Sequence, residues 1–239
     1  SSSNGGINIS MTVVAIHQPQ FLPWLGYIDK LDRSDVFCLL DTVQYKKNEF
    51  QNRNKIKTAQ GWQWLTVPVT YRFPQRIEEV GVNQTVDWQR KHLQALKTNY
   101  SKAPFFETYY ASFEEFYQQS YDFLVQVNVA CIQLIVELLG LERKLVLASS
   151  LPVETEDSTL RLVEICKNFG GDYYLSGRDG AKYMDVDMFQ NHKIEVLFQD
   201  FKHPQYPQCY GPFEPNMSVV DLLFNCGPDS LAIIREAST

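Results

Sequence analysis

No stretch of the 239-residue chain reaches the roughly twenty apolar residues that a membrane-spanning helix requires. The longest apolar segment, 123–139, is interrupted by Gln126, Asn128, Gln133 and Glu137, so no membrane span is expected. Cysteine is sparse and scattered. Cys38, Cys131, Cys166, Cys209 and Cys226 are odd in number and hold no short-spaced pair, which excludes the usual zinc and redox signatures and fits a reducing, cytoplasmic setting. Neither a P-loop nor a Gly-x-Gly-x-x-Gly run occurs, so the standard phosphate-binding loops are missing. A cationic excess is missing as well: 22 Lys and Arg face 28 Asp and Glu, a formal net charge of −6, which argues against general nucleic-acid binding. The opening Ser1-Ser2-Ser3-Asn4-Gly5-Gly6 has neither the cationic nor the apolar part of a signal peptide, and 1–11 reads as a flexible tail or cloning remnant.

Hydrophobic residues at 44% and charged residues at 21% describe a globular chain able to bury a core, and 12–239 is expected to form one domain. Aromatic residues make up 13%; most are expected in the core, leaving a few to stack on a sugar or base.

Thr12-Val13-Val14-Ala15-Ile16 and Asp35-Val36-Phe37-Cys38-Leu39-Leu40-Asp41 are largely apolar, β-branched or aromatic runs that read as buried strands, joined by a short helix from Leu25 towards Ser34. A third strand is expected over 62–69, with Pro68 near its end, and a short fourth over 80–83. The region 86–119 is helical with a break at Ala103-Pro104, and 123–139 is a long apolar helix stopped by Gly140. A strand at 144–149, a helix at 158–169 capped by Asp157 or Ser158, and a strand at 172–177 form a βαβ unit. A strand at 193–201 and helices at 218–226 and 229–237 close the chain. The expected class is α/β: a Rossmann-like, mostly parallel sheet flanked by helices, with a helical insertion over about 86–141.

In such sheets ligands bind beyond the carboxyl ends of the strands, which is where His17, Gln18 and Gln20 fall. His17, with an ordinary pKa near 6.5, suits a general base for an amine or hydroxyl. Asp41 at the end of the second strand is placed to orient His17 or bind an ammonium group. Lys46, Lys47, Arg53, Lys55 and Lys57 put five cations in twelve residues, opposed only by Glu49. They form either a solvated strand edge or a cradle for a nucleotide diphosphate or a nucleic-acid end. Arg53 and Asn54 suit an anionic group, with Lys57 a weaker partner. Ser176 and Gly177 end a strand before the Arg178-Asp179-Gly180 turn, Tyr183 could stack on a sugar, and His203 and Gln208 lie in a Pro-rich polar loop. Cys209 is the one cysteine in a polar loop and the one to test as a nucleophile. His92 and His192 read as surface residues. No metal site is assigned, and the cofactor is unknown.

Several of these segments together resemble the WbqC-like protein family. They are His17-Gln18-Pro19-Gln20, Pro23-Trp24-Leu25-Gly26-Tyr27, Asp41 with Gln44-Tyr45, and 51–57. Further along, Lys102-Ala103-Pro104-Phe105-Phe106, 174–177 with Tyr183, 203–208 and 216–221 continue the match, which runs from about Val13 to about Gly227. The resemblance adds Trp24, Gln44 and Tyr45 to the substrate-binding set. It also implies a role in bacterial surface polysaccharide synthesis such as O-antigen, namely acyl or aminoacyl transfer that forms an amide on an amino sugar, glycine being one proposed group. The partner is then a small molecule, such as a sugar nucleotide, and the acyl donor a thioester, an aminoacyl-tRNA or an adenylate. Two other readings remain open. A histidine after the first strand is shared with Rossmann-like nucleotidylyltransferases, although the second histidine and the glycine of their His-x-Gly-His motif are missing. A sugar-nucleotide or partner-binding module without chemistry is the other.

Overall fold

The computed structural model describes residues 10–238 of the chain. Its elements begin with β1 (Val13–His17), α1 (Leu25–Asp32) and β2 (Val36–Leu39). Two short antiparallel pairs follow, β3 (Arg53–Thr58) with β4 (Gly61–Thr66) and β5 (Val69–Thr70) with β6 (Gly81–Val82). Next come α2 (Trp88–Tyr100), α3 (Phe106–Gln118) and α4 (Leu124–Leu138), then β7 (Lys144–Leu147), α5 (Ser158–Asn168), β8 (Tyr173–Ser176), α6 (Val186–Asn191) and β9 (Glu195–Phe198). Helices α7 (Val219–Cys226) and α8 (Ser230–Glu236) end the chain.

Five strands form one sheet in the order β7-β2-β1-β8-β9, every neighbouring pair parallel. β1 and β2 lie at its centre because their residues are apolar on both faces, as a doubly covered parallel sheet requires. Alternation sorts their side chains: Val14, Ile16, Val36 and Cys38 pack with Val163, Ile165 and Cys166 of α5 and Phe189 of α6. Ala15, Phe37 and Leu39 point the other way, into a larger core with Leu25, Ile28 and Leu31 of α1 and much of α4 and α7. Asp157 caps α5 by accepting from the Leu160 amide, and Gly170, at φ +63°, ends that helix region with a left-handed residue. The expected Rossmann-like sheet flanked by helices is therefore present.

The excursion between β2 and β7 begins earlier than the expected insertion. The strand expected over 62–69 is β4, which pairs with β3 and breaks at Val67, whose amide turns to the Asn52 carbonyl. Neither that hairpin nor the β5–β6 pair joins the central sheet. β3 has the alternation of a half-buried strand, with Asn54 and Ile56 inward, but its inward polar residue and outward cations disguise it. The tail expected at 1–11 falls mostly outside the described residues.

Candidate functional site

In chain order the sheet strands run third, second, first, fourth, fifth, so the order reverses between β1 and β8. That reversal opens the crevice in which open α/β sheets bind ligands. The register sets Ala15 beside Leu175, which carries Ile16 to the level of Ser176 and His17 to that of Gly177. A Cβ added to Gly177, the residue after β8, would meet nothing within 4 Å. Gly180, in contrast, is packed so closely on the Ser176 side chain that no Cβ fits.

At this point the structure supplies a partner for His17 that the sequence analysis did not identify. Lys30 projects from α1 into the interior, with Nζ 3.2 Å from the Ile16 carbonyl oxygen and 3.4 Å from His17 Nδ1. Among the described residues it has no carboxylate partner. Burial lowers its pKa from the ordinary 10.5 to about 8. The His17 pKa is held well below 6.5, first by burial and then by the Lys30 charge. His17 is therefore neutral near pH 7, and an ammonium donating to Nδ1 leaves the ring proton on Nε2. Gln20 Nε2 lies 3.2 Å from that same Nε2, while Gln20 Oε1 is buried without a partner. Turning the amide end for end places the acceptor on the ring N–H. The Tyr27 ring packs 4.6 Å from the imidazole, and its hydroxyl donates to the Gln18 carbonyl. Gln18 Oε1 in turn accepts from Gln51 Nε2 at 3.1 Å.

Asp41 does not orient His17, contrary to expectation. Its carboxylate accepts from the Ser149 amide at 2.8 Å and the Ser149 hydroxyl at 2.6 Å, tying the end of β2 to the turn after β7. With Lys30 on Nδ1 and the proton on Nε2, His17 suits proton donation better than the general-base role first assigned to it.

Other candidates prove to be internal fasteners. Asn54 is fully buried and donates to the Leu22 carbonyl at 2.8 Å, clamping the loop that follows His17 rather than binding an anion. Lys57 is buried and donates to the Tyr210 carbonyl at 3.0 Å. Tyr45 is buried against Tyr71. Gln208 bonds Glu214 and Asp221, whose buried carboxylate also accepts from Tyr100 and Tyr206. Ser176 is buried with its hydroxyl on the Gly177 carbonyl. His92 is buried, not a surface residue: it bonds Tyr117 and the Thr66 carbonyl, and burial lowers its pKa to about 4. His192 is exposed as expected. The Cys209 thiol has its pKa raised by burial and the Asp221 charge, the reverse of what activates a nucleophile.

Trp24 and His203 lie parallel, 6.4 Å apart, where the loop after β1 meets the loop after β9. The Trp24 ring folds back over Gly26, where any Cβ would collide with it. Tyr183 is 80% exposed. Arg53 stacks over Trp64 and donates to the Asn48 carbonyl.

Outside the ends of β2 and β7 lies a cavity of about 630 Å³. Gln44 and Thr42 line it together with Arg76 and Arg161 and the carboxylates Glu79, Glu154 and Glu156. It lies along the same carboxyl edge of the sheet as His17, which is not among its lining residues. Among the described residues no three His, Cys, Asp or Glu side chains gather as metal ligands, and no helix is long and apolar enough to cross a membrane.

Comparison with known proteins places this site in a family. The WbqC-like protein family matches residues 18–233, from the loop after β1 into α8. The chain belongs to the WbqC-like family. An uncharacterized Mycobacterium tuberculosis protein, Rv1507c, is 37% identical over 234 residues, covering 95% of this chain and 100% of that protein. No solved structure matches. The matched residues begin one position after His17 and take in the whole β2–β7 excursion.

Proposed function

We propose that this WbqC-like protein is an acyl- or aminoacyltransferase that forms an amide on a nucleotide-linked amino sugar, within bacterial polysaccharide synthesis. The observation that carries the reading is the His17–Lys30 pair at the switch point of the sheet. Amide formation passes through a tetrahedral oxyanion and expels an oxygen or sulfur leaving group that needs a proton. A neutral imidazole with its proton on Nε2 supplies the hydrogen bond to the first and the proton to the second. Lys30 then passes a proton to Nδ1. The acceptor nitrogen bonds to the acyl carbon, the bond from that carbon to the leaving group breaks, and the proton shed by the amine recharges the pair. The cavity with Arg76, Arg161 and three glutamates suits a ligand bearing both an ammonium and an anionic group. The polysaccharide setting rests on the family resemblance.

The test is mass spectrometry of mixtures of a uridine-diphosphate amino sugar with an acyl thioester, an aminoacyl-tRNA, or an amino acid with ATP and magnesium. Amide product with one donor, lost in His17→Gln, is the expected result. Product formed equally by His17→Gln contradicts the role of the pair. The strand order and the histidine at the end of β1 also favour a second reading, adenylyl transfer; pyrophosphate release with ATP and magnesium but no amide would select it. Ligand binding without product from any donor would select a non-catalytic module.

A further inference from the structure

The β3–β4 hairpin has two unlike faces. Asn54, Ile56 and Leu65 are buried, and through Asn54 this inner face grips the loop that follows His17. On the outer face the register sets Arg53 opposite Thr66, Lys55 opposite Trp64 and Lys57 opposite Trp62. Lys57 is covered by the loop at Cys209 and Tyr210, Arg53, Lys55 and Trp64 are half-buried, and Trp62 and Thr66 are exposed.

Three aromatic rings run along it. Phe50 is 6.0 Å from Trp64, and Trp64 is 5.4 Å from Trp62, edge to face. Phe50 and Trp62 are 39% and 44% exposed, unusual for side chains of that size. Cations are interleaved with them: the Arg53 guanidinium lies 4.0 Å over Trp64, and Lys55 Nζ lies 4.9 Å from Trp62 and 5.8 Å from Trp64. Arg53 Nε is buried with no acceptor. Lys46 and Lys47 lie exposed in the preceding loop. Among the described residues none of these four cations forms an ion pair, although the chain as a whole is acidic. The acidic groups nearby are Glu49 in that loop and Glu214 at the Gly61 turn.

We propose that this outer face binds the single-stranded end of a nucleic acid, its bases stacking on Trp62, Phe50 and the Arg53–Trp64 pair and its phosphates meeting Lys46, Lys47 and Lys55. Rings in series with unpaired cations between them match consecutive nucleotides, each presenting one π-face and one phosphate. A single ring with one cation would have suited a lone nucleotide. The Phe50 carbonyl accepts from the Phe21 amide and Gln51 donates to Gln18, so the platform adjoins the loop that follows His17, and in the proposal the end of the strand runs into the crevice. The proposal rests on the transferase reading for its purpose: the strand is the acyl carrier. The ester bond from the acyl carbon to the terminal ribose oxygen breaks, the amide forms, and the ribose hydroxyl takes the proton from His17.

The experiment follows tryptophan fluorescence of the full chain during titration with the RNA tetramer ACCA and, separately, with uridine diphosphate. The expected result is saturable quenching by the tetramer that weakens about tenfold in Trp62→Ala, the loss of one stacked base. In Lys55→Glu, which keeps both tryptophans, the slope of log affinity against log salt is expected to become shallower by about 0.7, one phosphate contact. No quenching up to about 1 mM tetramer, or unchanged binding in both variants, overturns the strand site. An equal response to uridine diphosphate overturns it in favour of a nucleotide diphosphate site. Absent binding leaves amide formation from a thioester untouched, whereas binding with no amide from any donor removes the transferase reading and keeps the strand site.

Discussion

Replacing His17 by Gln removes one site at which the folded and unfolded chains bind protons differently. In the unfolded chain His17 takes up a proton as the pH falls through about 6.5, whereas in the fold burial and Lys30 keep it neutral to well below that. The folded pKa is depressed, so its stabilising contribution is complete above about 6.5 and is lost as the pH falls towards the folded value. The slope is at most about 1.4 kcal/mol per pH unit for one proton, over the range in which the unfolded ring is protonated and the folded ring is not. His92, with a folded pKa of about 4, acts in the same sense, while Asp29 and Asp221, whose pKa values are raised by burial, act in the opposite one. All three are retained in the variant, so their contributions cancel in the difference. Urea unfolding of parent and His17→Gln at pH 7.5, 6.5, 5.5 and 5 reads that difference directly. The variant is expected to start less stable and the gap to close as the pH falls below about 6.5, by at most about 1.4 kcal/mol per pH unit. A gap that stays constant would mean that His17 titrates normally in the fold, which refutes the buried pair.

Lys30→Met removes the charge that helps depress His17, so the His17 pKa is expected to rise, seen in an NMR titration of the ring. Parent activity is expected to fall on the alkaline side as Lys30 loses its proton near pH 8, a limb that Lys30→Met lacks. Asn54→Ala leaves the Leu22 carbonyl without its donor and is expected to cost about 1–3 kcal/mol in urea unfolding. An anion-binding Asn54 would instead show lost affinity at unchanged stability. Gly227→Ala combines a φ of +55° with a Cβ in the Phe105 ring and is expected to destabilise by about 1 kcal/mol or more, read as a lower thermal midpoint.

The sheet was legible because its strands are buried on both faces: Val13–Ile16 and Val36–Leu39 announce themselves without any partner in view. The cap Asp157 was legible for a local reason, a side-chain oxygen three residues before an amide it can satisfy. β3 was not, because its inward-facing Asn54 and its row of cations break the apolar pattern. His17 was placed correctly at a strand end, but its partner was misassigned. Asp41 stands at the end of the adjacent strand and looks like an orienting acid, yet Ser149, 108 residues on, takes both its oxygens. Lys30 carried a faint signal, a cation inside the short helix Leu25–Asp32 whose other charged residues are Asp29 and Asp32. Asn54, Lys57 and Gln208 all hold internal hydrogen bonds. A polar side chain that satisfies buried backbone or another side chain has the same composition as one that waits for a ligand, and only the long-range contacts tell them apart.

The most direct test of the central claim is the initial rate of amide formation on a uridine-diphosphate amino sugar, measured across pH for the parent, His17→Gln and Lys30→Met with whichever donor yields product. The account predicts a rate that depends on His17 and an alkaline limb near pH 8 that disappears with Lys30. Product formed by His17→Gln at the parental rate, or an alkaline limb that survives in Lys30→Met, would contradict it.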